Sequence, residues 1–264
     1  MICCPNFKIN IGLYITAKRK DGFHDIETIF YPIDNKTDKL EIVISEKGKT
    51  HLKIINSAEL TETENNLCLK AYRLLKQDYC LPEFEMILTK NIPIAAGLGG
   101  GSSDAAFTLK MINELCELNI SSQKLKEYAA QLGSDVAFFI ENRPAFATGR
   151  GEIMEIIDLD LSHKKITVVK PNLSISTAEA YALIEPKRTK ISLKEMIKYP
   201  VEEWKHSISN DFEKPLFEKY PLLQNIKTAL YEKGADYVSL SGSGSALFAI
   251  ADHEIEYDID HYAS

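Results

Sequence analysis

The sequence has 264 residues, 45% of them hydrophobic, enough for one large domain or two small packed ones with a real core. Its 38 acidic residues against 31 basic ones leave a net charge of −7, which argues against general nucleic-acid or membrane-surface binding. The five cysteines show no Cys-x-x-Cys or Cys/His metal spacing and read as reduced thiols of a cytoplasmic protein, and no apolar run approaches the ~20 residues of a membrane span.

Along residues 7–15 the chain alternates, with Phe7, Ile9, Ile11, Leu13 and Ile15 on one face of a predicted strand and Lys8, Asn10, Gly12 and Tyr14 on the other. One face is core, and the other can be a site. A basic run, Lys18-Arg19-Lys20, then enters an Asp21-Gly22 turn followed by Phe23, His24 and a strand over 26–33. Residues 40–45 and 51–55 read as the two strands of a hairpin; Gly48-Lys49-Thr50 inside it lacks the earlier glycine of a P-loop. A helix is predicted over 66–77, with Asn65 and Asn66 as caps, and a strand over 84–88.

That strand leads into Pro93-Ile94-Ala95-Ala96-Gly97-Leu98-Gly99-Gly100-Gly101-Ser102-Ser103, and Ala105, Ala106, Leu109, Ile112 and Leu115 follow at helical spacing. Glycines before a helix let backbone N–H groups approach an anion, and the positive end of the helix dipole favours phosphate. Ser102 and Ser103 can cap the helix or bind a phosphate oxygen or a metal ion. The spacing is not that of a dinucleotide fingerprint.

Residues 121–132 form another predicted helix ended by Gly133. Asp135 follows between small residues and an apolar run, where a carboxylate is costly unless paired; a helix N-cap is the plain alternative. Strands are predicted at 144–148, 153–157, 166–170, 237–240 and 246–250. A helix starting near Ser176 places Thr177 and Tyr181 on one face, with Ser176 and Glu179 as a capping box. Asn210-Asp211-Phe212-Glu213 reads as a capped helix joint. Residues 221–233 make a helix with Pro at its start and Gly beyond its end. The final turn, Ser241-Gly242-Ser243-Gly244-Ser245, taken alone is a hairpin loop.

Pro93, Gly97-Leu98-Gly99 and Ser102-Ser103 resemble the phosphate-binding motif of the GHMP kinases, the superfamily of galactokinase, homoserine kinase and mevalonate kinase. Lys8-Ile9-Asn10, Asp21-Gly22-Phe23-His24, Gly133-Ser134-Asp135-Val136 and the final Gly/Ser turn match in order, so the resemblance spans nearly the whole chain. Phe7, Phe23 and Ala137 depart from the commoner residues. The resemblance implies an α+β, two-domain GHMP kinase fold, with a ribosomal protein S5 domain 2-like part over 1–157, a ferredoxin-like part over 158–264, and the active site between them. It implies ATP and Mg²⁺ as cofactors, with ATP on residues 93–103 and Mg²⁺ near Ser102 and Ser103, and Asn66 near the adenine.

Lys8 and Asp135 are implied as catalytic. Asn10, Phe23, His24, Thr177, Tyr181, Gly242, Ser243 and Gly244 are implied to bind the acceptor, a cytidine diphosphate derivative of methylerythritol, its base held between Phe23 and Tyr181. The expected protein is a cytoplasmic monomer or weak homodimer. Two rivals remain: a GHMP kinase for mevalonate or homoserine, and a catalytically silent nucleotide binder on the same fold.

Overall fold

The computed structural model describes residues 1–57, 64–187 and 191–257. The chain divides into two compact units, one formed by Met1–Lys8, Pro32–Ile94 and Gly99–Arg143, the other by Ile9–Tyr31, Ala95–Leu98 and Pro144–Ser264.

In chain order, β1 is Ile2–Cys3, β2 Phe7–Lys18, β3 His24–Ile33, β4 Lys39–Ile44 and β5 His51–Ile55. Then come α1 (Leu67–Asp78), β6 (Phe84–Thr89), α2 (Gly100–Leu115), α3 (Ser122–Leu132) and α4 (Phe138–Glu141). The remainder is β7 (Ala145–Thr148), β8 (Ile153–Ile156), β9 (Lys165–Val169), α5 (Thr177–Ala182), α6 (Leu193–Met196), α7 (Val201–Ser207), α8 (Glu213–Lys219), α9 (Pro221–Glu232), β10 (Tyr237–Leu240) and β11 (Leu247–Ala251).

The first unit holds a sheet of order β1-β4-β6-β5. Here the expected hairpin is corrected: β6 lies between β4 and β5, antiparallel to β4 and parallel to β5. A parallel neighbour requires a crossover, and α1 supplies it. The turn at 45–50 is pinned to Glu83 at the entrance to β6. Ser45 donates its N–H to the Glu83 carbonyl at 2.7 Å, and Thr50 gives its N–H (2.9 Å) and hydroxyl to the Glu83 carboxylate. Leu40, Ile42, Leu52, Met86 and Leu88 alternate into the core with Leu75, Ala105, Leu109 and Ile112 of the helices. β6 and α2 thus bracket the glycine loop from both ends.

The second unit has the sheets β2-β3-β7-β8 and β10-β11-β9 with α5–α9. Leu13, Ile15, Val169, Phe212, Leu216, Ile226, Leu240 and Leu247 form its core. Each such side chain contributes about 1.5–3 kcal/mol on burial. Both faces of β2 are buried from Phe7 to Tyr14. At Gly12 the cover is visible: a Cβ there would come within 2.5 Å of Leu193 and 2.8 Å of Ile208. Among the described residues no helix is long and apolar enough to cross a membrane.

Candidate active site

In the first unit the site is built on the start of α2. Gly99 is its N-cap in the left-handed region (φ 71°), with no side-chain cap, so neither Ser102 nor Ser103 caps the helix as the sequence suggested. Gly99 also makes room for a cation: a Cβ there would lie 3.2 Å from both Lys8 Cε and Phe139 Cε2. The stem of Lys8 therefore lies against the loop.

Lys8 is 3% exposed and its Nζ is 3.4 Å from Asp135 Oδ2, on a carboxylate one-third exposed. Burial lowers the Lys8 pKa from the usual lysine value, against the opposing pull of Asp135. Asp135 is not a helix cap, since Ala137 holds that position for α4. It is a partly open carboxylate joined to a buried ammonium, which is the pairing that explains its place before an apolar run.

Beneath the loop, Lys90 Nζ bridges the carboxylates of Asp38 and Asp104, the latter at 2.7 Å. Asp38 Oδ1 accepts the N–H groups of Asn91 (2.6 Å) and Ile92 (2.9 Å), the residues entering the loop. Burial pushes the Asp104 carboxyl up to about 7 although Lys90 opposes it, while for Lys90 burial is overcome by the two carboxylates and the ammonium is stabilised. A Cβ on Gly100 would meet Ile92 at 3.0 Å and Lys90 Nζ at 3.5 Å, so this triad lies directly under the first turn of α2. Sequence reasoning missed it because its members come from three separated segments.

Ser103 is fully buried and its hydroxyl has no hydrogen-bond partner among the described residues, whereas Ser102 is half-buried in the first turn. Asn66 is the N-cap of α1, its side chain accepting the Cys68 N–H at 2.9 Å, and Leu67 beside it lies 3.9 Å from a Cβ position on Gly101. The expected cap is found, close to the loop.

In the second unit the turn after β10 packs on residues 95–98. Ser241 Oγ donates to the Gly97 carbonyl at 3.0 Å and Ala246 N–H to the Ala96 carbonyl at 3.2 Å. Gly97 has φ 76°, and a Cβ there would overlap the Ser241 carbonyl. A side chain at Gly242 would stand 3.4 Å from Asn10 Oδ1, and Asn10 Nδ2 donates to Thr28 Oγ1 at 3.0 Å. Thr177 and Ser243 share a hydroxyl contact at 3.3 Å. The turn is thus integrated with the glycine loop rather than being a plain hairpin.

His24, not Phe23, stacks on Tyr181, with ring centroids 4.8 Å apart and planes 24° from parallel, and Tyr181 stands edge-on to Phe212 at 5.0 Å. Phe23 is 51% exposed and carries the Arg150 guanidinium 3.9 Å above its ring. Its exposure follows from its place in the Asp21-Gly22 turn, where Asp21 accepts the Phe23 N–H at 3.1 Å.

Comparison with known proteins identifies the family. The GHMP kinases N terminal domain model matches residues 66–143 and the GHMP kinases C terminal model residues 192–258. A 4-diphosphocytidyl-2-C-methyl-D-erythritol kinase of Bacteroides fragilis (strain YCH46) is 50% identical over 252 residues, covering 95% of this chain and 92% of that protein. The chain belongs to the 4-diphosphocytidyl-2-C-methyl-D-erythritol kinase family of GHMP kinases. A crystal structure titled 4-(cytidine 5'-diphospho)-2C-methyl-D-erythritol kinase superposes with a TM-score of 0.81 at 29% identity, over 95% of this chain and 90% of that one. A homoserine kinase from Cytophaga hutchinsonii has a TM-score of 0.68 at 18% identity, over 94% and 85%, and shares the fold. The expected two-domain GHMP fold is therefore correct for this kinase, and ATP is its phosphate donor.

Proposed function

We infer that the protein transfers the γ-phosphoryl of ATP to the 2-hydroxyl of 4-diphosphocytidyl-2-C-methyl-D-erythritol, giving the 2-phosphate of the non-mevalonate isoprenoid pathway. The Lys8–Asp135 pair beside Gly99 carries this reading: a buried ammonium and an accessible carboxylate 3.4 Å apart, next to the start of a 16-residue helix.

Phosphoryl transfer needs alignment and charge stabilisation more than covalent chemistry. Backbone N–H groups of the loop up to residue 102 hold the β- and γ-phosphates, the Ser103 N–H being bonded to the Gly99 carbonyl at 2.9 Å. Asp135 orients the acceptor hydroxyl and accepts its proton as the new O–P bond forms and the bond to the leaving ADP breaks. Lys8 holds Asp135 in place and offsets negative charge on the transferring group.

A metal ion fits here as a companion of the nucleotide, beside the half-buried Ser102 in the first turn of α2. Mg²⁺ would supply charge neutralisation on the phosphates, held by phosphate oxygens with the Ser102 hydroxyl nearby. The burial of Ser103 makes it the poorer candidate.

His24 and Tyr181 receive the cytosine, with Phe23 and Arg150 as the exposed flank. Asn10, Thr177 and residues 242–244 hold the acceptor's polyol and diphosphate, and Asn66 lies on the adenine side. The functional division is 1–157 and 158–264, in keeping with family models that end at residue 143 and begin at 192. The enzyme works in the cytoplasm as a monomer or weak homodimer, without nucleic-acid partners. The test is initial rates with ATP and Mg²⁺ on this acceptor, homoserine and mevalonate; turnover of either of the latter at a comparable kcat/KM would overturn the assignment.

A further inference from the structure

The segment 209–213 contacts no reacting group in this reading, yet its polar side chains are committed to two other places in the second unit. Asn210 is buried and uses its whole amide: Nδ2 donates to the carbonyls of Leu240 (3.0 Å) and Gly242 (2.8 Å), and Oδ1 accepts the Phe212 N–H at 2.9 Å. The two carbonyls flank Ser241, the residue tied to Gly97. Glu213 holds the same strand end by its other side, accepting the Leu240 N–H at 2.9 Å and the Ser239 hydroxyl at 3.0 Å, with Lys227 on its second oxygen at 2.7 Å.

The segment is itself anchored to β2. Leu13 donates to the Ser209 carbonyl at 3.0 Å, Asp211 N–H donates to the Leu13 carbonyl at 2.8 Å, and Asp211 Oδ2 accepts the Ile15 N–H at 2.7 Å. Three neighbouring side chains thus join the strand that carries Asn10 to the turn that faces it.

We propose that Asn210, backed by Glu213, is a positioning residue that fixes the 241–245 turn and through it sets affinity for the acceptor rather than for ATP. The proposal rests on the reading of that turn as acceptor-binding. A turn of two glycines and three serines has little preference of its own, and Gly242 and Gly244 occupy φ 57° and 85°. Holding two of its flanking carbonyls before the acceptor arrives removes an ordering cost from binding. Only a side chain with two N–H donors and one acceptor in the plane of an amide meets all three backbone groups. Aspartate would set an oxygen against two carbonyl oxygens, and alanine would take the Asn210 donor from the Gly242 carbonyl and leave the Leu240 carbonyl only the 3.4 Å contact of the Ser239 hydroxyl. The nucleotide side is less exposed to such a loss: of the two bonds to residues 96 and 97, the one from Ala246 to Ala96 lies outside the turn, and only the Ser241–Gly97 bond would loosen with it.

The experiment compares wild type, Asn210→Ala and Asn210→Asp by amide hydrogen exchange over 241–245 and by steady-state kinetics with both substrates. Exchange in the turn is expected to quicken at least about tenfold, KM for the diphosphocytidyl acceptor to rise about tenfold, and KM for ATP to stay within about threefold. Wild-type exchange in the turn of the alanine variant would overturn the proposal, as would parallel rises in both KM values. Asn210→Asp keeps the volume and the acceptor for Phe212, so it gives the same reading if the alanine variant does not fold. Wild-type protein inactive on the acceptor would count against the proposed function alone, since the exchange result judges the hold of Asn210 without substrate.

Discussion

The glycine loop at 97–103 and the glycine-serine turn at 241–245 use the same residue types and are braced in opposite ways. The loop runs into α2 and rests on a buried charge triad, Lys90 between Asp38 and Asp104. The turn joins two strands and is held by a neutral amide, Asn210, with Glu213 behind it. A charged brace is rigid but intolerant of losing one member, because an unpaired buried charge is costly; a neutral one loses only hydrogen bonds. The glycine loop is locked by a charge triad at its base, and the turn by the hydrogen bonds of Asn210, with the Glu213–Lys227 ion pair one step behind.

The sharpest break in activity is expected at neither brace. Asp135→Asn should lower kcat by about 10²–10⁴ while ATP affinity stays within about threefold, because the loop is untouched. Isothermal titration with ATP beside single-turnover rates measures both; unchanged turnover would exclude a role for this carboxylate in the proton transfer.

The braces themselves are compared by stability. Lys90→Met leaves two buried carboxylates without their cation and should cost about 3–5 kcal/mol, against about 1–3 kcal/mol for Asn210→Ala. Urea unfolding of the two variants ranks them, and an equal or reversed order would erase the distinction drawn above. Acceptor recognition is expected to respond more gently. His24→Ala removes the ring on Tyr181 and should raise KM for the acceptor several-fold with little change for ATP; equal rises for both would remove His24 from base recognition.

The smallest effect is on pH dependence. Because burial lowers the Lys8 pKa, its ammonium is lost at a lower pH than an ordinary lysine's, so kcat should fall with rising pH in a limb that begins below 10.5. In that window the unfolded chain binds the proton that the folded state has released, so this group's contribution to stability rises with pH as activity falls. Rate profiles and urea titrations across the alkaline range separate the two, and Lys8→Met should abolish the stability slope.

The same contrast explains what could be read from the chain. The loop was legible because its consequence is local: four glycines, two serines and a helix pattern lie next to one another. Lys8 and Asp135 were legible as candidates through the motifs around them, although their distance was not. The 241–245 turn read alone as a hairpin, since its meaning lies in Gly97, Asn10 and Asn210, each far away in sequence. Asn210 itself looked like a helix joint because its local bond to Phe212 is that of a cap, while its two longer-range bonds leave no local trace. The hairpin over 40–55 failed for a related reason: turn chemistry at 46–50 is genuine, but Glu83 and the α1 crossover decide which strand fills the place beside β4. His24 opens β3 and stacks on Tyr181, while Phe23 precedes the strand in the Asp21-Gly22 turn and stays exposed.

The most direct test of the account is phosphorus NMR of the product formed from ATP, Mg²⁺ and 4-diphosphocytidyl-2-C-methyl-D-erythritol. The account predicts a new phosphomonoester signal beside an intact diphosphate, appearing in step with ADP and absent with Asp135→Asn. ATP bound by the wild-type protein with no phosphomonoester formed would contradict it.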